Sequence, residues 1–199
     1  AWPLVVQAHP DARLLVVGFG EYRETLQRLW AGLTAGDLAA VGQIAELGRE
    51  LEGGERSRLA YLSAFLDQAG PDYANAAGAA AGSVDLAGRL EYQEVAAAVR
   101  GSDAMVVPST FPEAFGMVAA EAACSGALPL SADHSGLAEV TAALASALPE
   151  DQRSLLAFER GSAAVEQIAE RLIRWLELPA GERAAAVEAL SGVARRRFG

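Results

Sequence analysis

The chain has 199 residues, 52% of them apolar, and a formal net charge of -10. That composition describes a globular chain, long enough for one full domain and short for two, and it excludes a disordered segment. The acidic balance excludes a nucleic-acid or anionic-membrane surface as the main partner, and no run is apolar enough to span a bilayer.

In chain order, residues 2–8 look like the tail of a helix. The opening "AWPLVVQAHPDARLLVVG" has no initiator Met and no basic n-region, so it is not a signal peptide. A start this abrupt is expected of a fragment of a longer protein. "RLLVVGFG" (13–20) is a β-rich run ending in glycines, and "EYRETLQRLW" has helical spacing. Residues 31–82 then turn rich in Ala and Gly. Leu38, Val41, Ile44, Ala45 and Leu47 continue a helical period, as do Leu59, Leu62, Phe65 and Leu66. Two helices are expected near 36–51 and 55–69, followed by a flexible stretch, "GPDYANAAGAAAGS". Because connections between neighbouring elements are usually about 4–6 residues, the segment reads as an inserted helical hairpin packed at the periphery.

The alternation then resumes: "VDLAG" (84–88) strand, "EYQEVAAAVRG" helix, "AMVVPS" strand, "GMVAAEAACSG" helix, "ALPLS" strand, "GLAEVTAALAS" helix and "SLLAFE" (154–159) strand. Two amphipathic helices follow, near 163–177 and 180–197, the first with Val165, Ile168, Leu172 and Trp175 as its apolar stripe. Strands separated by helices imply right-handed crossovers and a parallel sheet covered on both faces, an α/β Rossmann-like domain. In that architecture ligands bind beyond the carboxyl ends of the strands, which points to the loops 18–21, 108–116 and 131–136.

Several nucleotide chemistries can be set aside. Gly18 and Gly20 are followed by Arg23 where a third dinucleotide-binding glycine should stand. All 16 basic residues are Arg, which removes a G-K-[ST] phosphate loop and a lysine-dependent phospho-receiver pocket. A small anionic ligand remains compatible with the acidic balance, because a helix N-terminus binds phosphate whatever the net charge. "PSTFPEAFGMVAAEAACSG" (108–126) offers one. Gly116 would let the backbone approach a ligand closely. Side chains lean toward a helix N-terminus, so Glu121, one turn in, would aim two acceptors at the mouth, suited to the vicinal diol of a ribose. Glu113, ahead of the helix, would stand on the far side of the phosphates. The spacing describes a ribose, a phosphate pair and a further polar group, as in a nucleotide-sugar.

"VVPSTFPEAFGMVAAEAACSGALPLSADHSGLAEV" resembles the signature of group 1 (family 4) retaining glycosyltransferases, with its E-x7-E, small-residue helix end, strand and G-G-x-x-E turn. Glu113 and Glu121 match the two acids, Gly126 the glycine before the strand, and Ser135, Gly136 and Glu139 the turn. The similarity takes in nearly everything except 31–82 and becomes diffuse after 145. It implies the C-terminal, donor-binding half of a GT-B enzyme: a single Rossmann-like domain over 1–199 with the helical insertion inside it. By that resemblance Glu113 is the catalytic acid that contacts the transferred sugar. Glu121 holds the ribose, and the amides of Phe115, Gly116, Met117 and Val118 stabilise the leaving diphosphate in place of a metal. Gly18 and Gly20 correspond to the family's strand–glycine–helix unit, and Arg89 and Leu90 to the stretch near the base.

The resemblance implies no cofactor, with a nucleoside-diphosphate sugar as the donor substrate. An N-terminal acceptor domain of the same protein would be the partner, able to meet a peripheral membrane acceptor, while a basic loop upstream of Ala1 would add an Arg and a Lys. The isolated fragment is expected to be inactive. Ser135 departs from the family's usual Gly. His134 reads as a surface-turn residue, with a donor-facing position as the alternative. Cys124 suits the core, cannot form an internal disulfide, and with the composition points to the cytoplasm. A degenerate interaction module, and more distantly a sugar-nucleotide epimerase, are the competing functions.

Overall fold

The run "LLVV" becomes β1 (Leu14–Val17), the β-branched and γ-branched stretch that the sequence favours for a strand. The structure, a computed structural model, describes residues 1–199 and divides into two units, Ala1–Leu90 with Gly161–Glu166, and Glu91–Arg160 with Gln167–Gly199. Each carries its own parallel sheet flanked by helices, an α/β, Rossmann-like arrangement.

In the first unit, β1 pairs in parallel with β2 (Val84–Gly88), from Leu14 opposite Val84 to Val17 opposite Gly88. The connection between them carries α2 (Arg23–Thr34), α3 (Leu38–Leu47), a 3-10 turn (Arg49–Glu52), α4 (Ala60–Leu66) and α5 (Pro71–Ala79). Before β1 lies α1 (Trp2–Ala8), which carries Pro3 in its first turn, where the missing N–H costs nothing, and buries Val5 and Val6. Asp37 caps α3 by accepting from the Ala40 amide at 2.9 Å. Trp2 Nε1–H donates to Ser83 Oγ at 2.7 Å, and the Leu14 amide donates to the Ser83 carbonyl at 2.9 Å, so the turn before β2 holds both α1 and the start of β1.

The stretch expected to be flexible is α5. Pro71 starts it with a pre-set φ, alanine is the best helix former, and Ala76, Ala77 and Ala80 are buried. Its small side chains let it lie against α1 and α2, and Ala77 joins Leu33 and Val41 in a core flanked by Leu29, Trp30, Leu38, Leu66 and Tyr73. Residues 31–82 therefore supply part of this unit's core rather than decorating its edge. The first expected helix is cut short by Gly48, at φ 52°, and the 3-10 turn after it ends at Gly53, at φ 79°, while the second spans only Ala60–Leu66.

The second unit begins with α6 (Tyr92–Arg100), entered through a capping box in which Glu94 accepts from the Glu91 amide at 2.7 Å. Then follow β3 (Ala104–Val107), α7 (Met117–Ser125), β4 (Leu128–Ala132), α8 (Ser135–Ala145), a 3-10 segment (Glu150–Leu156), β5 (Ala157–Phe158), α9 (Ala164–Glu177, of which Gln167 onward belongs to this unit) and α10 (Ala180–Phe198). The sheet order is β3-β4-β5, all parallel, and every residue of central β4 is buried. The strand expected over 154–159 is only two residues long. Residues 150–156 coil into 3-10 turns after Pro149 instead and still bury Leu155 and Leu156. No helix is long and apolar enough to cross a membrane.

Alanines at 119, 120, 122 and 123 let α7 sit close to the sheet and to α10, whose Ala186, Leu190 and Ala194 recur every four residues along the facing stripe. Trp175 of α9, 1% exposed, completes this core and donates its Nε1–H to the Asp103 carbonyl at 2.9 Å. Another close approach in this unit is between main chains. A Cβ on Gly136 would lie 2.5 Å from the Phe115 nitrogen, and one on Gly116 would lie 2.8 Å from the Leu137 Cα.

Two stability outcomes follow from these contacts. Gly136→Ala should cost about 1–3 kcal/mol, because backbone rather than a flexible side chain must give way. Gly42→Ala, in α3 where an added Cβ meets nothing, should gain about 0.5–1 kcal/mol; urea titration of both variants checks the signs. In the first unit, burial followed by the Glu166 carboxylate pushes the Tyr73 phenol up to about 12. An unfolded tyrosine ionises near ~10, so the fold disfavours the phenolate. This contribution is whole below the unfolded value and is lost as pH rises from there through the folded one. Melting curves between neutral pH and that window should fall less steeply for Tyr73→Phe than for the native chain.

Candidate functional site

In the second unit, the chain leaves β3 at Val107 into the loop 108–116, whose prolines at 108 and 112 have no N–H to contribute. Neighbouring segments tie the loop down. The Arg160 guanidinium, just past β5, donates to the Thr110 carbonyl at 3.1 Å, and Ser109 Oγ donates to the Phe111 carbonyl at 3.2 Å. The Glu113 peptide is held on both sides: its N–H donates to Ser135 Oγ at 2.9 Å, and its carbonyl accepts from the Gly136 amide at 2.9 Å.

The loop ends at Gly116, in the left-handed region at φ 57°, which turns the chain into α7. The space freed by the missing Cβ is filled by Leu137 and Gly136 of α8, so the glycine makes room for a backbone crossing within the protein. No side chain caps α7, no acid lies in its first turn, and the amides of Met117 and Val118 find no acceptor in the chain. Glu121, the sole charged residue of α7, is exposed and unpaired, and Glu113 is half-buried with its carboxylate unpaired. Around this mouth Phe115 is 74% exposed and Phe111 66%, and Met117 is exposed as well. The structure thus groups Glu113, Phe115, Gly116, Met117, Val118 and Glu121 about one helix end.

The remaining expected residues meet in the first unit, at the carboxyl ends of β1 and β2. The Gly18 amide donates to the Gly88 carbonyl at 2.9 Å, and the Arg89 guanidinium lies 5.6 Å from the centre of the Phe19 ring. Gly20 turns the chain at φ 134°, and Leu90 is half-buried beside Arg89. Arg23 donates to the Leu86 carbonyl at 3.5 Å, so it crosses the end of β2 where a dinucleotide fingerprint would need open backbone.

Two features were not legible as site residues. Arg160 gave no local signal, since its partner Thr110 is 50 positions away. His134 is neither a free surface histidine nor turned to an open face: Nε2 lies 2.8 Å from the Ser109 carbonyl and Nδ1 3.0 Å from Ser135 Oγ. Ser135, the first residue of α8, has φ 47°, the one non-glycine in the left-handed region. That conformation costs a residue with a Cβ roughly 1–2 kcal/mol.

A search of curated proteins gives no match to this sequence. A scan of protein families matches residues 79–190, more than half of the chain, to "Glycosyl transferases group 1". That span holds the whole α7 mouth and the turn that carries it. The chain therefore belongs to the group 1 glycosyl transferases, a family of sugar-transferring enzymes.

Proposed function

We propose that this chain is the donor-binding half of a retaining glycosyltransferase, which moves a hexose from a nucleoside-diphosphate sugar to an acceptor held by another domain of a longer cytoplasmic protein. One observation carries the reading: the open amide end of α7 between two unpaired carboxylates. The N-terminal amides and helix dipole supply partial positive charge worth typically ~0.3–1 kcal/mol to an anion at an exposed site, and more in a closed one. A diphosphate seated there has its developing leaving-group charge stabilised by fixed dipoles, which supports a metal-independent departure.

Helical side chains lean toward the N-terminus, which suits Glu121, in the second turn, to offer two acceptors to a ribose diol. Glu113, on the loop side, faces the sugar that the diphosphate carries. Phe115 through Val118 provide the amide cradle. In the first unit, Phe19 and Arg89, beside Gly18, Gly20 and Leu90, form an aromatic–guanidinium pair of the kind that suits a nucleobase. The donor is a substrate, and the reading assigns no cofactor.

Glu121→Gln should weaken nucleoside diphosphate binding by roughly 1.5–3 kcal/mol, since it loses charge-assisted hydrogen bonds that form whether or not a sugar is attached. Glu113→Gln should leave that affinity unchanged and lower kcat of the intact enzyme at least tenfold, a barrier rise of ~1.4 kcal/mol. Calorimetry with UDP, GDP and ADP on this chain tests the first, and steady-state transfer kinetics on the intact protein the second. Equal affinity losses in both variants would reverse the donor's direction across the α7 mouth. No effect in either would replace the enzyme by a glycosyltransferase-like interaction module.

A further inference from the structure

The atoms between β3 and α8 dictate the direction of a hydrogen-bonded chain. A carbonyl only accepts, so the 2.8 Å contact from His134 Nε2 to the Ser109 oxygen places the ring proton on Nε2. In a neutral ring Nδ1 then carries a lone pair, and the hydroxyl 3.0 Å away, Ser135 Oγ, donates to it. Ser135 Oγ meanwhile accepts from the Glu113 amide at 2.9 Å. The sequence of donors runs from Glu113 N–H to Ser135 O–H to His134 and ends at the Ser109 carbonyl. It closes a bracket across residues 109–113, each member with one partner per group used.

We propose that His134 and Ser135 are positioning residues that clamp the Glu113 loop, so that its carboxylate is presented to the transferred sugar; this rests on the donor reading of the α7 mouth. Three observations converge on it. The loop's own prolines leave it few internal hydrogen bonds, so external groups must fix it. The Glu113 peptide is gripped at both its N–H and its carbonyl, while its carboxylate stays unpaired, which orders the backbone and leaves the acid available. Finally, Ser135 sits at φ 47°, where glycine would be more comfortable. The hydroxyl is the only polar group that serine adds there, and both of its contacts belong to the bracket.

A merely structural role and a positioning role predict opposite patterns for Ser135→Gly. Glycine relieves the left-handed strain, so the thermal midpoint should stay the same or rise. The Glu113 amide should nevertheless exchange with solvent at least tenfold faster by heteronuclear NMR. In the intact enzyme kcat should fall about tenfold with the affinity for UDP, GDP or ADP unchanged. His134→Phe should reproduce the faster exchange and the lower kcat. His134→Gln, whose amide can donate to Ser109 and accept from Ser135, should recover most of both.

Unchanged Glu113 exchange in Ser135→Gly and His134→Phe would overturn the clamp. So would faster exchange with kcat untouched while Glu113→Gln, run alongside, still lowers kcat. If Glu113→Gln itself leaves kcat unchanged, the donor reading fails first and the positioning role falls with it.

Discussion

The contact on which the second unit depends is one without side chains: the crossing of the 113–116 loop over the first turn of α8. Gly116 and Gly136 face each other so closely that neither tolerates a Cβ. Because interiors are close-packed, such a crossing has little slack and transmits position from one segment to the other. The carbonyl of Glu113, the αL turn into α7 and the start of α8 are all set by it. The alanine-rich body of α7 then carries that position into the core against α10. The 108–116 loop is thus fixed by the scaffold around it, the α8 backbone first, rather than by its own short polar inventory.

Electrostatics at this place runs against the molecule's overall balance. A chain of net charge -10 opposes an approaching anion at long range, yet that field is screened within about 8 Å at physiological ionic strength. The partial charge of an unpaired helix end acts inside that distance. On the proposed reading, local dipoles decide whether a phosphate settles at the α7 mouth, while the surface charge sets how fast it arrives. Two acids flanking the mouth are compatible with an anion only if each meets hydroxyl groups rather than phosphate oxygens. The roles proposed for Glu113 and Glu121, toward sugar and ribose hydroxyls, meet that condition.

Much of this was legible in the sequence. Strongly periodic segments became the elements expected of them, from "LLVV" to the long α10, and the E-x7-E spacing placed its two acids on either side of one helix start, as the structure does. What escaped the sequence was non-local. The alanine- and glycine-rich run at 70–83 looked flexible because local glycines weigh against a helix, yet burial on α1 and α2 decides the matter. The backbone crossing that Gly116 makes room for was hidden as well, because its neighbour there lies twenty residues away. The bracket of His134 and Ser135 spans separations of 25 and 22 residues and rests on one strained φ, neither of which a local pattern encodes. The strand over 154–159 was lost mostly to a 3-10 coil that buries the same leucines, so the apolar pattern was right and its geometry was not.

The placement of the indoles has an optical consequence. Trp2 and Trp30 lie in the first unit, one donating to Ser83 and the other beside the Leu33 core, whereas Trp175 lies alone in the second, buried and bonded to the Asp103 carbonyl. Each unit therefore carries its own chromophore in a distinct environment. A variant retaining only Trp175 has emission governed by the packing of α9 on the β3–β5 sheet. One retaining only Trp2 and Trp30 reports on the helices around β1 and β2. The cooperativity of the two halves is thereby open to direct spectroscopic separation, without any added label.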